Sequence, residues 1–281
     1  MLTENAKLLI NLAISEDIGD GDHTSLSTIP KDAIGKAKLL VKEYGVLAGI
    51  EVAKYIFNTI DNSAKIDSYL NDGNVVKYGD IAFSVTGNAQ KILQSERLAL
   101  NFMQRMSGIA TLTSKYVEKT EGTKAKVLDT RKTSPGLRYF EKEAVRIGGG
   151  TNHRFGLYDL IMIKDNHVDF AGGITKALEQ TTQYLKSKDL NIKIEVETRN
   201  FIEIEEVLKS GIANRIMLDN FTVDNTKSAV NLINGACEIE SSGGINLNTI
   251  SDYAKCGVDY ISVGALTHQI NSLDLSLKAA F

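Results

Sequence analysis

Beyond Thr123 the sequence repeats one unit, a short apolar run followed by an amphipathic stretch, and this alternation limits the chain to a parallel α/β architecture. Six strand candidates carry it, at 125–128, 160–163, 192–196, 215–218, 237–240 and 260–263, with helical stretches such as 173–185, 201–209 and 246–254 between the later ones. Eight strand-helix units typically take about 250 residues, so an incomplete barrel of six or seven strands is expected. The part before it reads differently. Leu8, Leu9, Leu12 and Ala13 stand at helical spacing in an opening helix that Gly19 ends. Short β-prone runs then occupy 36–86, around a helix near 50–60. A long helix from 89 to about 106 has Ile92, Leu93, Ala99, Leu100, Met103 and Met106 on one stripe, and Arg97, Asn101 and Arg105 on a row at four-residue spacing.

Composition narrows the classes. No apolar run approaches the ~20 residues of a bilayer-crossing helix, and a net charge of −3 leaves no broad basic face for nucleic acid or anionic lipid. Two cysteines, Cys237 and Cys256, and an opening segment without a basic or apolar leader lead us to expect a cytoplasmic enzyme.

In parallel barrels function collects on the loops that follow the strands. Here each strand candidate runs into polar chemistry. The first leads to Asp129-Thr130-Arg131-Lys132, the second to Lys164-Asp165-Asn166-His167, and the third ends in Glu195-Val196-Glu197. The fourth reaches Asp219-Asn220, the fifth Ser241-Ser242-Gly243-Gly244, and the sixth Val263-Gly264-Ala265. Residues 131–167 hold seven Lys or Arg against four Asp or Glu, so a chain that is negative overall is positive here. That is a site for a polyanion. The glycine-rich fifth and sixth ends, ahead of expected helix N-termini, suit phosphate, and Glu197 with Asp219 can orient hydrated Mg²⁺ or ribose hydroxyls.

These residues carry a resemblance that runs nearly end to end. Its marks are Glu16-Asp17-Ile18-Gly19-Asp20-Gly21-Asp22, Glu96-Arg97 through Asn101 to Ser107-Gly108-Ile109-Ala110-Thr111, and Asp129-Thr130-Arg131-Lys132-Thr133. Further along stand Gly148-Gly149-Gly150 with Asn152-His153-Arg154, Lys164-Asp165-Asn166-His167, Leu218-Asp219-Asn220 and Ser242-Gly243-Gly244-Ile245. Together they resemble the quinolinate phosphoribosyltransferase family. The resemblance implies an N-terminal α/β sandwich over 1–106, rejoined by about 272–281, and an incomplete parallel α/β barrel over 107–271. It implies decarboxylating phosphoribosyl transfer from phosphoribosyl pyrophosphate to quinolinate for NAD biosynthesis. It also implies a homodimer in which Arg97 completes the neighbouring subunit's site.

By the same resemblance Arg131, His153, Arg154 and Lys164, with Arg97 of the partner chain, form the quinolinate pocket. Lys132, Thr130, Ser242, Gly243, Gly244, Val263, Gly264 and Ala265 line the phosphoribosyl pyrophosphate side. Lys132, Glu197 and Asp219 are the expected catalytic residues, with Mg²⁺ held mainly by the substrate and steered by the two carboxylates. Asp17, Asp20 and Asp22 lack the order of a calcium loop and read as a turn with capping carboxylates. Cys237 and Cys256 read as buried small hydrophobes, and His167 is left without a role. Two rivals are weighed, a molybdenum-transport relative acting on another pyridine carboxylate, and a silent barrel that senses pyridine nucleotides.

Overall fold

A computed structural model describes residues 2–280. The chain divides into two compact units. One comprises the chain up to Ser114, Thr133–Gly149 and the chain from Leu266 on; the other comprises Lys115–Lys132 and Gly150–Ala265.

The first unit is built on a four-stranded antiparallel sheet in the order Leu275–Ala279, Ile34–Val41, Ile81–Asn88, Lys65–Ser68. Leu39, Val41, Phe83 and Val85 bury its inner face, and Phe57 of the helix Ile50–Ile60 meets Phe83 edge-on at 6.0 Å, so helix and sheet share one core. The last strand pairs with Ile34–Val41, which returns the C-terminal segment to this unit. The opening helix Glu4–Ile18 is capped by Thr3 and stops at Gly19, whose φ of 54° suits glycine. Its buried side chains are Ala6 and Ile10, while Leu8 and Leu12 of the expected stripe are exposed. Asp22 caps the helix His23–Thr28 by accepting from the Ser25 N–H.

The long helix runs from Ala89 to Glu118, past the expected end near 106. Ser107 and Gly108 look like a stop in sequence but fit tertiary partners. The Ser107 hydroxyl donates to the Ala48 carbonyl at 3.1 Å and accepts the Ala48 N–H at 2.9 Å. A Cβ on Gly108 would press on the Asn271 carbonyl oxygen and lie 3.1 Å from Ser272 Cα. Gly108→Ala is therefore expected to cost about 1–3 kcal/mol through overpacking against backbone, read as a lower denaturant midpoint with an unchanged slope. Of the basic row, Arg97 and Asn101 are exposed, whereas Arg105 turns inward and donates from Nε to Glu141 at 2.9 Å.

The second unit holds six parallel strands. In chain order they are Lys126–Leu128, Ile161–Ile163, Ile194–Thr198, Arg215–Asp219, Glu238–Ser242 and Tyr260–Ser262. The second to sixth strands follow in sequence, and the first pairs with the sixth, so the sheet closes everywhere except between its first and second strands. Thr151 bridges Leu128 on that open side. This is an incomplete α/β barrel of six strands. Among the described residues no helix is long and apolar enough to cross a membrane.

Candidate active site

Parallel pairing brings all six carboxyl ends to one edge of the barrel. Glu197 lies level with Met217, Thr198 with Leu218, and Asp219 with Ser242, while Ile163, just before Lys164, lies level with Val196. Lys164, Glu197, Asp219 and Ser242 therefore sit at or next to strand ends on the same rim, with Thr130, Arg131 and Lys132 in the segment that follows Leu128. Arg97 belongs to the other unit and is exposed there.

The Lys164 Nζ stands 3.3 Å from Glu197 Oε2, an ion pair across the second and third strand ends. Lys164 also begins the helix Asp165–Ala171, and its N–H donates to His167 Nδ1 at 3.0 Å. The role left open for His167 is thus capping, and the Lys164-Asp165-Asn166-His167 run is a helix start and not a loop. Asp219 accepts from the Asn220 side-chain amide at 2.8 Å, and the Asn220 N–H donates to the Ser242 carbonyl at 2.9 Å. Gly243, with a φ of 95°, packs so tightly on Asn220 that a Cβ there would meet its Oδ1 and stand 2.8 Å from its backbone nitrogen. The carboxylate of Asp219 and the glycine turn are consequently one rigid piece.

On the first strand end, the Lys132 N–H donates to the Thr130 hydroxyl at 3.0 Å, which turns Arg131 and Lys132 outward into solvent. Arg154 is half-buried, and its Nη1 donates to the Leu160 carbonyl at 3.1 Å. Burial and then the charge of Arg131 lower the pKa of Arg154, as expected of two guanidinium groups held near each other.

The phosphate turns differ from expectation. Helix Ile250–Lys255 begins well after Gly243 and Gly244, so those glycines form a loop of their own; only Gly264 leads straight into a helix, the one-turn Ala265–His268. The Val263 N–H is spent on the Leu128 carbonyl at 3.0 Å. Cys237 and Cys256 are half-buried free thiols, and the Cys256 Sγ faces the Val223 and Asp252 carbonyls at 3.5 and 3.2 Å, so full burial does not hold.

Beneath the rim lies a charge set that sequence reading passed over. Strand residues two apart point the same way, so Glu195 sits one layer below Glu197 inside the barrel, and both are buried. His153 Nε2 is 3.1 Å from Glu195 Oε2 and 3.4 Å from Glu240 Oε2. Arg215 Nη1 lies 2.9 Å from Glu240 and 3.7 Å from Glu195, and its guanidinium stacks 3.9 Å from the Tyr260 ring centroid. Burial, then Glu240, pushes Glu195 up to about 7; Glu240 resists the same burial because His153 and Arg215 hold it low. Against burial, the two carboxylates push the His153 imidazole up to about 9. The Arg154 N–H, 2.6 Å from His153 Nδ1, works the other way by favouring a ring whose hydrogen is on Nε2. What this geometry fixes is the place of the ring. The signal in sequence was the carboxylate alternation Glu195-Val196-Glu197 and Glu238-Ile239-Glu240 inside strands that are otherwise apolar.

Arg215→Ala would remove from Glu195 and Glu240 the cation that, with His153, offsets their burial. An uncompensated buried charge typically costs about 3–5 kcal/mol, so this variant is expected to unfold at markedly lower urea, as followed by circular dichroism.

The chain matches two family models, "Quinolinate phosphoribosyl transferase, N-terminal domain" over residues 22–107 and "Quinolinate phosphoribosyl transferase, C-terminal domain" over residues 109–278. It is 48% identical over 291 residues to a mitochondrial quinolinate phosphoribosyltransferase [decarboxylating] of Nicotiana tabacum, covering 98% of this chain and 82% of that one. It is 40% identical to a probable nicotinate-nucleotide pyrophosphorylase [carboxylating] of Bacillus subtilis, covering 96% and 92%. Among solved structures, that of NadC from Streptococcus pyogenes superposes with a TM-score of 0.94 at 39% identity, over 99% of this chain and 97% of that one.

Proposed function

This chain belongs to the quinolinate phosphoribosyltransferase family, and from that premise we propose how its barrel rim divides the work of the reaction. The enzyme joins quinolinate to the ribose of phosphoribosyl pyrophosphate, releasing pyrophosphate and CO₂ and yielding nicotinate mononucleotide for NAD biosynthesis. The observation that carries our division is the rim shared by Lys164, Glu197 and Asp219, together with the nearness of Arg131 to Arg154.

Arg131, Arg154 and Lys164 take the two adjacent carboxylates of quinolinate. Guanidinium forks match carboxylate geometry and stay charged at any working pH, so the pocket is set before substrate arrives. His153, largely buried and bonded to the Arg154 N–H, completes the proposed pocket. Lys132 and Thr130, with the Ser242-Gly243-Gly244 turn and Val263-Gly264-Ala265, receive the phosphates. Phosphoribosyl pyrophosphate enters with Mg²⁺. The oxygen-only pair Glu197 and Asp219 fits a hard cation and hydroxyls alike, and it steers both from the ribose side. The ion's contribution, when bound, is neutralisation of the departing pyrophosphate.

The bond from the anomeric carbon to pyrophosphate breaks as positive charge develops there, and the pyridine nitrogen donates its pair to that carbon. The ring nitrogen is then positively charged. The neighbouring carboxylate leaves as CO₂, its electron pair stays on C2 beside that charge, and C2 takes up a proton. No further cofactor is required. Arg97 is proposed to reach the site of a second copy in a homodimer, in keeping with its exposure on this chain. A cytoplasmic location is proposed on the two free thiols. Incubation with carboxyl-labelled quinolinate, phosphoribosyl pyrophosphate and Mg²⁺ tests the reading: labelled CO₂ should appear with nicotinate mononucleotide in equal amounts, and binding without turnover would reject it.

A further inference from the structure

Of the charged groups inside the barrel, Glu195, Glu240 and Arg215 have no place in the reaction as drawn, although Glu195 and Glu240 are fully buried and Arg215 nearly so. Burying two carboxylates is costly, and apolar residues of like volume usually serve stability as well or better. The set also leaves bonding capacity unused, since Glu195 Oε1 and Glu240 Oε1 have no hydrogen-bond partner among the described residues. A divalent ion among His153, Glu195 and Glu240 would have to share their oxygens with Arg215 Nη1, already 2.9 Å from Glu240. The cation of this cluster is the arginine.

What the set does touch is His153, which is gripped from four sides. Its main-chain N–H donates to the buried Asp129 carboxylate at 2.8 Å, from the first strand end. Its Nε2 faces Glu195 of the third strand and Glu240 of the fifth, and Arg215 of the fourth strand ties those two together. Its Nδ1 takes the Arg154 N–H at 2.6 Å. Arg154 is thereby fixed at its backbone through the His153 ring and at its guanidinium through the Leu160 carbonyl.

We propose that Glu195 and Glu240, neutralised by Arg215, are positioning residues for quinolinate, which lock the His153 ring beneath the pocket and through it aim Arg154 at the substrate carboxylates. The inference rests on the assignment of Arg154 to the quinolinate pocket. Misplacement of an orienting group by an ångström is enough for effects of tenfold or more. The contacts of the two carboxylates lead to His153, to Arg215 and to the Ser262 side chain, so the effect is expected to fall first on quinolinate.

The test is steady-state kinetics, with both substrates varied, on Glu195→Gln, Glu240→Gln, Glu195→Ala and Arg154→Ala. We expect the KM for quinolinate to rise about tenfold in Glu195→Ala and less in the two Gln variants, while the KM for phosphoribosyl pyrophosphate and kcat change less than about twofold. A merely structural role would lower the thermal midpoint and disturb both KM values alike, and that outcome overturns the proposal. So does an unchanged KM for quinolinate in Glu195→Ala. Should Glu195→Ala fail to fold, the two Gln variants carry the same comparison, because they keep shape and remove only charge. Arg154→Ala separates the layers. If it leaves the KM for quinolinate unchanged, the pocket assignment itself fails; if it raises that KM while the glutamate variants do not, only the positioning inference does.

Discussion

Lys132→Ala is expected to lower kcat by a hundredfold or more, because a charged donor aimed at charge that develops in the transition state is typically worth about 3–4 kcal/mol. The leaving pyrophosphate gathers negative charge as its bond to ribose breaks, and Lys132 is the cation that the first strand end holds outward beside Thr130. The same side chain is exposed, and surface substitutions of that kind rarely move stability by more than about 0.5 kcal/mol. Loss of turnover with an unchanged melting curve is therefore the expected signature. Arg131→Ala, its neighbour, should act elsewhere. By its proximity to Arg154 we assign it to the proposed dicarboxylate pocket, and its loss should appear mainly as a raised KM for quinolinate. Were the two variants to show the same kinetic pattern, the separation of adjacent residues between two substrates would be untenable.

The barrel was readable in sequence because strands buried on both faces appear as near-continuous apolar runs. Ile194–Thr198 and Arg215–Asp219 fall within a few residues of where that pattern puts them. Edges of the other unit were harder. Lys65–Ser68, in which only Ile66 is even half-buried, lacks the alternation that marks a strand, and its order comes from pairing with Ile81–Asn88. The long helix continues through Ser107 and Gly108 for reasons that lie at Ala48 and Asn271, too far away in the chain for local propensity to register. Likewise Thr133–Gly149 groups with the first unit, where Glu141 receives Arg105, although in sequence it interrupts the barrel strands.

The gathering of candidate residues at strand ends was legible because a parallel sheet sends them to one edge, whatever the rest of the chain does. Their supports were not. From sequence Glu195 has no role beside Glu197, because alternation along a single strand gives its layer and not its partners. Those partners come from the fourth and fifth strands and from the segment around His153. Gly243 illustrates the same limit. Its place in Ser242-Gly243-Gly244 suggests phosphate, yet its close packing on Asn220 shows that it also sets the position of Asp219.

The two rim carboxylates allow a test in which rival accounts differ in sign. Both substrates are polyanions, so on charge alone Glu197 and Asp219 oppose binding, and removing either ought to help. At an effective dielectric near 20, a unit charge about 4 Å away is worth roughly 4 kcal/mol before screening, and Glu197 stands 3.3 Å from Lys164, which its removal would free to attract anions. If instead the carboxylates orient ribose hydroxyls and Mg²⁺, Glu197→Ala and Asp219→Ala keep the fold and lose turnover, by on the order of a hundredfold. We expect the second result. The Asn220 main chain, bonded to Ser242, should hold the rim in Asp219→Ala, so circular dichroism ought to be unchanged while kcat collapses and quinolinate affinity is kept or improved. Full activity in either variant would remove these residues from the reaction, because no account in which they steer the sugar survives a carboxylate that can be deleted without effect.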